Sequence, residues 1–505
     1  MRSLILCAAL AGCAALGPTQ PGLATHALPP RPADGLPRTF AALAAAHPDQ
    51  SGFVLIDVGR EDFVTRVAAA QLAERSIDVQ TYLWNADDTG RLILQQLLDA
   101  ANRGVRVRLL IDDIGTGGRD ADLRAIDAHP NVEVRVYNPF ATRGHNRLWE
   151  KITRFARIDR RMHNKAFIVD GAVAVMGGRN LGDAYFGVDE HHNVRDLDVL
   201  TAGPTVAQLG RSFDDYWNSE FAHPIGSLTR APGRRELAHH WRAFDAAVTR
   251  ARRRYPYALA DGAARSTLTA ARDRMIWARG EMVWDAPAKT RVPGAKETLG
   301  RVALAYVQLI EGVRAQLLEM SAYYVPRFHR RLFLQLQQRH VRVRVLTNSL
   351  DSTDELPAQA GYARERPRLL AHGVELHELR ADAASRALYL GNPGRSSSLG
   401  LHAKAVVYDD ETLSIGSFNI DARSSYINTE LMVIVHSREL AAQLTALIER
   451  DLRPENSWQV QLGPRHGLLW SSVSDGRRVE TGFEPGRAWR AVAQLLLSVV
   501  PLGQL

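Results

Sequence analysis

Apolar and polar residues alternate, cluster and recur along this chain in a way that predicts two copies of one α/β unit. Between Arg75 and Asp113 the string SIDVQTYLW alternates like a strand, GRLILQQLLDAANRG spaces its leucines like a helix, and VRVRLLIDD reads as a second strand. Strand, helix and strand in that order form a parallel pair in a helix-covered sheet. Further on, AQLLEMSAYYVP, RRLFLQLQQRH and VRVRVLTNS repeat the order. Val105-Arg106-Val107-Arg108 returns as Val341-Arg342-Val343-Arg344, and Val132-Glu133-Val134 as Val374-Glu375-Leu376, at nearly the same separation. A near-constant separation marks an internal repeat. Strand strings alone would not establish it, because unrelated α/β domains share such runs.

The chain's 505 residues suffice for two or three cores. The pattern divides them into a first unit over 40–223, a basic helix-prone connection over 224–296, a second unit over 297–450 and an extension over 451–505. In the connection, the run Arg250-Ala251-Arg252-Arg253-Arg254-Tyr255 is read as a solvated helix face in preference to a site for anionic headgroups. The apolar stretch from Ala488 to Val500 is too short to span a bilayer. It either lies at a membrane interface, with Trp489 at headgroup level, or packs as a core helix on the second unit.

At the other end, Arg2 and the apolar Leu4 to Leu10 lead to Leu10-Ala11-Gly12-Cys13, which reads as a bacterial lipobox. Residues 1–12 are then a lipoprotein signal peptide and Cys13 the lipidation site. Residues 13–39, rich in Pro, Gly, Ala and Thr, are expected to be a flexible tether. A membrane-associated lipoprotein on the periplasmic side is the expected location. The two cysteines both fall in the first 13 residues, which excludes a disulfide framework.

Composition sharpens the picture in one respect. Apolar residues make up 46% and charged residues 23%, a globular balance, and the net charge of +8 suits an anionic partner. Yet only five of the 63 basic residues are lysines, so each lysine stands out. Two of them sit in matched motifs. The first reads Met162-His163-Asn164-Lys165 and ends at Asp170, followed by Gly177-Gly178-Arg179-Asn180. The second reads Leu401-His402-Ala403-Lys404 and ends at Asp409, followed by Gly416-Ser417-Phe418-Asn419. A given histidine has roughly a 1 in 100 chance of a lysine two residues on, so two such motifs at the repeat spacing are not accidental.

In a strand, residues two apart share a face, so each histidine and lysine can address one reacting group. That set suits a phosphodiester. Lys165 and Lys404 neutralise non-bridging oxygens as point charges, with Asn180, Ser417 and Asn419 as neutral donors to the same oxygens. One neutral histidine attacks phosphorus to give a phosphohistidine, while the other protonates the departing alcohol and later deprotonates the incoming one. Each histidine needs a carboxylate to fix its tautomer. Asp196 follows the first motif and Glu430 the second. Asp170 and Asp409 complete the catalytic motifs but are expected to hold local turns rather than touch substrate. Histidines paired with lysines repel a cation, so no metal or other cofactor is expected. The adjacent His191 and His192 are read as a solvated loop, because neighbouring side chains rarely converge on one ion.

These motifs resemble the signature of the phospholipase D superfamily. Segments such as RRMHNKAF, GGRNLGDAYFG, LTNSL, GYAR, GVELHELR, LHAK, GSFNIDARS and NTE are similar to the C-type bacterial cardiolipin synthases, from about Phe40 to the C-terminus. The resemblance implies two α-β-α sandwich domains about a pseudo-twofold axis with the site between them. It also implies phosphatidyl transfer between phospholipids such as phosphatidylglycerol and phosphatidylethanolamine at a membrane surface, with His163 as nucleophile and His402 as general acid. Hydrolysis to phosphatidic acid is the nearest alternative. A phosphodiesterase acting on nucleic acid comes after it, since no aromatic stacking array accompanies the basic runs.

Overall fold

In a computed structural model, residues 22–31, 35–143, 147, 150, 153–255, 262–291, 298–326, 330–391, 397–463 and 467–497 are described. The first half contributes β1 (Ser51–Ile56), β2 (Ser76–Thr81), β3 (Arg106–Asp112), β4 (Val132–Tyr137), β5 (Ala166–Val169), β6 (Val173–Gly177), β7 (His192–Arg195), β8 (Asp198–Ala202) and β9 (Ala222–Pro224). The second contributes β10 (Ile276–Trp284), β11 (Gln316–Ser321), β12 (Arg342–Asn348), β13 (Glu375–Leu379), β14 (Ser398–Leu401), β15 (Lys404–Tyr408), β16 (Thr412–Gly416), β17 (Leu431–His436), β18 (Ser457–Leu462), β19 (Leu468–Ser474) and β20 (Arg477–Thr481).

Eighteen of these strands form one continuous sheet. From its first edge the order is β9, β4, β3, β2, β5, β6, β8, β1, and then β10, β17, β16, β15, β11, β12, β13, β18, β19, β20. The second list repeats the first in reverse. The pseudo-twofold axis therefore runs through the antiparallel pair β1–β10, where Gly52 faces Trp277. The sandwich reading holds in each half. In the first, the helices Gly59–Leu72 and Asp88–Asn102 pack on one face. On the other face, residues of the helices Pro204–Trp217 and Arg438–Leu452 join a single core shared by both halves.

Local chemistry sets these elements. The helix Asp88–Asn102 starts where the Asp87 carboxylate accepts from the Gly90 N–H at 3.0 Å, and it buries Leu92, Ile93, Leu97 and Leu98. Gly104, at φ 96°, then turns the chain into β3. On β3, Arg108 lies buried in a bidentate pair with Asp78, at 2.6 and 2.8 Å.

Three boundaries differ from the sequence reading. The tether is partly bound: Leu23 and Thr25 carbonyls accept from Arg135 and Arg108 at 2.8 and 2.9 Å, and the Ala27 N–H reaches Asp214. Leu36 and Phe40 of the helix Gly35–Ala46 are buried, so the first unit begins before residue 40. The buried arginines of β3 and β4 need acceptors, and the extended segment supplies them. The connection is helical over Arg234–Arg254 and Ala263–Asp273, and Phe244, Val248, Ala251 and Leu268 join the first half's core. It also contains β10, which opens the second half of the continuous sheet. In its basic run, Arg250 and Arg252 to Arg254 are exposed while Ala251 and Tyr255 are buried. The extension is not an appendage either, because β18 to β20 continue the second half of the sheet and Trp470 Nε1–H donates to buried Glu378 at 3.0 Å. Cys13 and residues 1–12 lie outside the described residues.

Asp170 and Asp409 close equivalent turns. Asp170, at φ 53°, accepts from the backbone N–H groups of Glu74, Arg75 and Ser76 at 2.8–3.0 Å. Asp409, at φ 50°, does the same for Arg314, Ala315 and Gln316 at 2.7–3.0 Å. Both lie at the far end of their strands from the motif histidines, which corrects their inclusion among the catalytic residues. Asp170→Ala leaves three backbone donors without acceptors and should cost about 2–4 kcal/mol in chemical denaturation, while turnover per folded molecule is unchanged. Lost turnover at full stability would contradict this placement.

Candidate active site

Each motif is delivered by a backbone pairing with the opposite half. The His163 N–H donates to the Thr429 carbonyl and the Thr429 N–H to the Arg161 carbonyl, both at 2.9 Å. Likewise the His402 N–H donates to the Arg195 carbonyl at 2.8 Å, where β14 runs parallel to β7 in a separate two-stranded sheet. His192 belongs to this seam rather than to a solvated loop, since its Nδ1 lies 2.9 Å from Ser398 Oγ.

Thr429 and Arg195 immediately precede Glu430 and Asp196, so the seam determines which carboxylate each histidine meets. His163 Nδ1 lies 3.0 Å from Glu430 Oε2, and His402 Nδ1 lies 2.6 Å from Asp196 Oδ2. The pairing is crossed: each carboxylate follows one motif in sequence and serves the other in space. His163 Nδ1 also faces the Ser417 carbonyl at 3.1 Å. Two acceptors around one nitrogen require the proton on Nδ1, leaving the Nε2 lone pair free.

The two lysines are buried beside the histidines. Lys165 Nζ donates to the His163 carbonyl and Lys404 Nζ to the His402 carbonyl. Each ammonium also approaches a tyrosine ring, Lys165 at 5.4 Å from Tyr82 and Lys404 at 5.9 Å from Tyr323. Tyr82 meets His163 edge-to-face, and Tyr185 meets His402 likewise, with ring centroids 5.1 and 5.2 Å apart.

Burial governs the proton affinities. It pushes His163 down to about 4, against the pull of Glu430, and Lys165 down to about 7. Burial lowers His402 and Lys404 in the same direction. For Asp196, burial favours the neutral acid, yet His402 and Lys404 outweigh it and hold the carboxyl well below its usual range. Glu430 is likewise held down, against burial, by His163 and Lys165. Lys165 responds to Glu430, Lys404 and Asp196, so the charges of both halves converge on one centre.

The predicted neutral donors divide. The Ser417 hydroxyl donates to Glu430 and accepts from the Leu431 N–H at 3.0 Å, so it positions Glu430 and is not an open phosphate donor. Asn180 is similarly occupied, accepting from the Leu83 N–H at 3.2 Å and donating to the Tyr185 hydroxyl at 2.8 Å. Asn419 is buried with its Oδ1 unpaired among the described residues.

Sequence reasoning missed a second matched pair. Asp112 Oδ2 accepts from the Met162 N–H, and Asn348 Oδ1 from the Leu401 N–H, each at 2.8 Å, fixing the residue before each histidine. Both stand at the ends of the repeated strands VRVRLLIDD and VRVRVLTNS, where the signal was present as a repeat position. Tyr82 and Tyr185 carry no spacing signal. The described residues contain no cluster of His, Cys, Asp and Glu able to hold a metal ion.

The family model described as "Cardiolipin synthase, PLD-like domain" matches residues 67–217 and 307–452. Cardiolipin synthase C of Escherichia coli (strain K12) is 36% identical over 92% of this chain and 99% of its own length. Cardiolipin synthase A of Pseudomonas putida (strain W619) is 27% identical over 83% of this chain and 74% of its own. Among solved structures, the phosphatidylserine synthase of Haemophilus influenzae aligns with a TM-score of 0.55 over 84% of this chain and 92% of its own, at 13% identity, a likeness of fold alone. With the same family matched in both halves and the relatives aligned along most of its length, the chain belongs to the cardiolipin synthase family of phospholipase D-like proteins.

Proposed function

We propose that this chain transfers a phosphatidyl group from one phospholipid to the hydroxyl of another, forming cardiolipin through a phosphohistidine. The crossed pairs His163–Glu430 and His402–Asp196 carry the reading, since they give two imidazoles of fixed tautomer beside two lysines in one buried centre. His163 Nε2 attacks phosphorus while His402 protonates the departing alcohol. Glu430 stabilises the cationic phosphoimidazole through Nδ1–H. His402 then takes the proton of the incoming hydroxyl as it attacks, and His163 is released neutral. Lys165, Lys404 and the Asn419 amide hold the non-bridging oxygens. The arriving phosphodiester brings the negative charge that His402 needs to hold its second proton in a site whose burial opposes it.

Phosphatidylglycerol and phosphatidylethanolamine are the proposed lipids. Attachment through lipidated Cys13 on the periplasmic side is the proposed location. No helix among the described residues is long and apolar enough to cross a membrane.

On phosphatidylglycerol and phosphatidylethanolamine vesicles, lipid mass spectrometry should detect cardiolipin with the intact protein. His163→Ala and His402→Ala should each lower the rate by about 10³-fold or more. Phosphatidic acid in place of cardiolipin would make water the acceptor, and turnover surviving both substitutions would sink the mechanism.

The crossed pairing has its own readout. Asp196→Asn should move the imidazole ¹⁵N and Nδ1–H resonances of His402 and leave those of His163 in place, with Glu430→Gln doing the reverse. Each substitution should lower kcat by about 10²–10⁴-fold. Pairing within each half would exchange the two spectra.

The pH dependence follows from His163 and Lys165. His163 attacks only when neutral and Lys165 neutralises phosphate only when charged, so kcat/KM should rise with pH through about 4 and fall through about 7. A depressed histidine binds fewer protons folded than unfolded, so its contribution to stability is present above 6.5 and lost as the pH falls toward 4. A flat pH profile between 4 and 8 would contradict both assignments.

A further inference from the structure

The C-terminal helix Ala488–Leu497 is amphipathic in the wrong sense for a helix covering a core. Its inward face is polar. Arg490 Nε donates to the Leu350 carbonyl at 2.7 Å, its other guanidinium nitrogen reaches the Thr353 carbonyl, and Gln494 is buried at 8% exposure beside Glu484. Its outward face is apolar: Trp489, Val492, Leu495 and Leu496 are exposed, the two leucines at 71% and 69%. Phe483, just before the helix, is exposed at 87%. Burying such residues away from water is favourable, so a helix held by its polar side and displaying its apolar side is built for a second apolar phase.

Charge and position identify that phase. From Pro485 to Leu497 the chain carries Arg487 and Arg490 and no carboxylate, and the whole chain is basic at +8. An aromatic ring at a helix end, the exposed Arg487 just before it and an aliphatic stripe match the interface of an anionic phospholipid bilayer. The helix also sits on the rim of the catalytic centre. The loop it grips, Leu350 to Thr353, runs directly into Asp354, whose carboxylate accepts from the Tyr323 hydroxyl at 2.9 Å. Asp354 also favours the charged forms of His402 and Lys404.

We propose that the Ala488–Leu497 helix, with Phe483, docks the protein on an anionic phospholipid bilayer and holds the rim of the His163–His402 centre against it. The proposal rests on the lipid-transfer reading and assigns the surface that delivers the substrate. Docking through this face orients the centre toward the bilayer, which a lipid attached to Cys13 alone does not.

The test uses the full chain with Cys7→Ser and Cys13→Ser, so that no acyl chain contributes and a single thiol can be labelled. An environment-sensitive fluorophore at Leu496→Cys should shift to the blue and lose acrylamide quenching on phosphatidylglycerol/phosphatidylethanolamine vesicles. The same label at Arg253→Cys, on the exposed basic run, should not respond. Trp489→Ser with Leu496→Ser should weaken vesicle partitioning by about 10-fold or more, with turnover on detergent-dispersed lipid unchanged as a check on folding.

A label at 496 that ignores vesicles, or partitioning untouched by the double substitution, would overturn the proposal. So would a blue shift that grows with protein concentration without vesicles, since a second copy would then cover this face. Insertion without any lipid turnover would leave the docking surface standing and refute the transfer reading; turnover on vesicles without insertion would do the opposite.

Discussion

Everything at the centre of this molecule depends on one constraint: a neutral imidazole, a lysine and a carboxylate from each half are buried together, and none is stable there alone. Stripped of water, an isolated carboxylate or ammonium reverts to its neutral form or opens the structure. Here Glu430 and Asp196 stay ionised only because His163, His402 and the lysines surround them. The carboxylates in turn come from the opposite half. Folding the two halves against each other and creating the reactive groups are therefore one event.

The surrounding structure protects that constraint by fixing the seam. Arg195, beside Asp196, forms a fully buried pair with Asp451 at 2.8 Å, and neighbouring Arg450 reaches Asp57 of the first half, also at 2.8 Å. On the other side, Asp285 accepts from the Glu430 N–H at 3.0 Å and from Lys289 at 2.7 Å, while the Tyr216 hydroxyl donates to the Asp285 carbonyl. Breaking a buried ion pair by removing one partner costs about 3–5 kcal/mol, so these contacts resist any sliding of the halves. With β1 paired to β10, the centre has little freedom to open by hinge motion. Substrate must reach it past side chains and loops.

The repeat, the strand–helix–strand order and the positions of both motifs were legible in the sequence because each is local. VRVR alternates regardless of its partner, and two lysines among so many arginines stand out without any structure. The crossed pairing was not legible. Asp196 and Glu430 were identified as the orienting carboxylates, but their partners depend on how β14 meets β7 and Thr429 meets Met162, contacts between residues more than 200 positions apart. The bound segment around Thr25 escaped for a related reason. Its Pro- and Gly-rich composition has no periodicity, and its order comes from the buried arginines of β3 and β4. Ser417 and Asn180 were recognised as polar groups near phosphate chemistry, yet their hydroxyl and amide are used by the scaffold.

The pairing of β1 with β10 across the axis also bears on how far the two histidines are free to differ. An interface in which each partner completes the other is self-complementary, the geometry of a symmetric dimer of single units. In such a dimer the two histidines would be chemically identical, and neither could specialise. Covalent fusion lifts that restriction. The halves now differ at Asp196 against Glu430, Gly178 against Ser417 and Asp112 against Asn348, so nearly twofold geometry surrounds two unequal imidazoles. One can then evolve toward attack on phosphorus and the other toward carrying the proton.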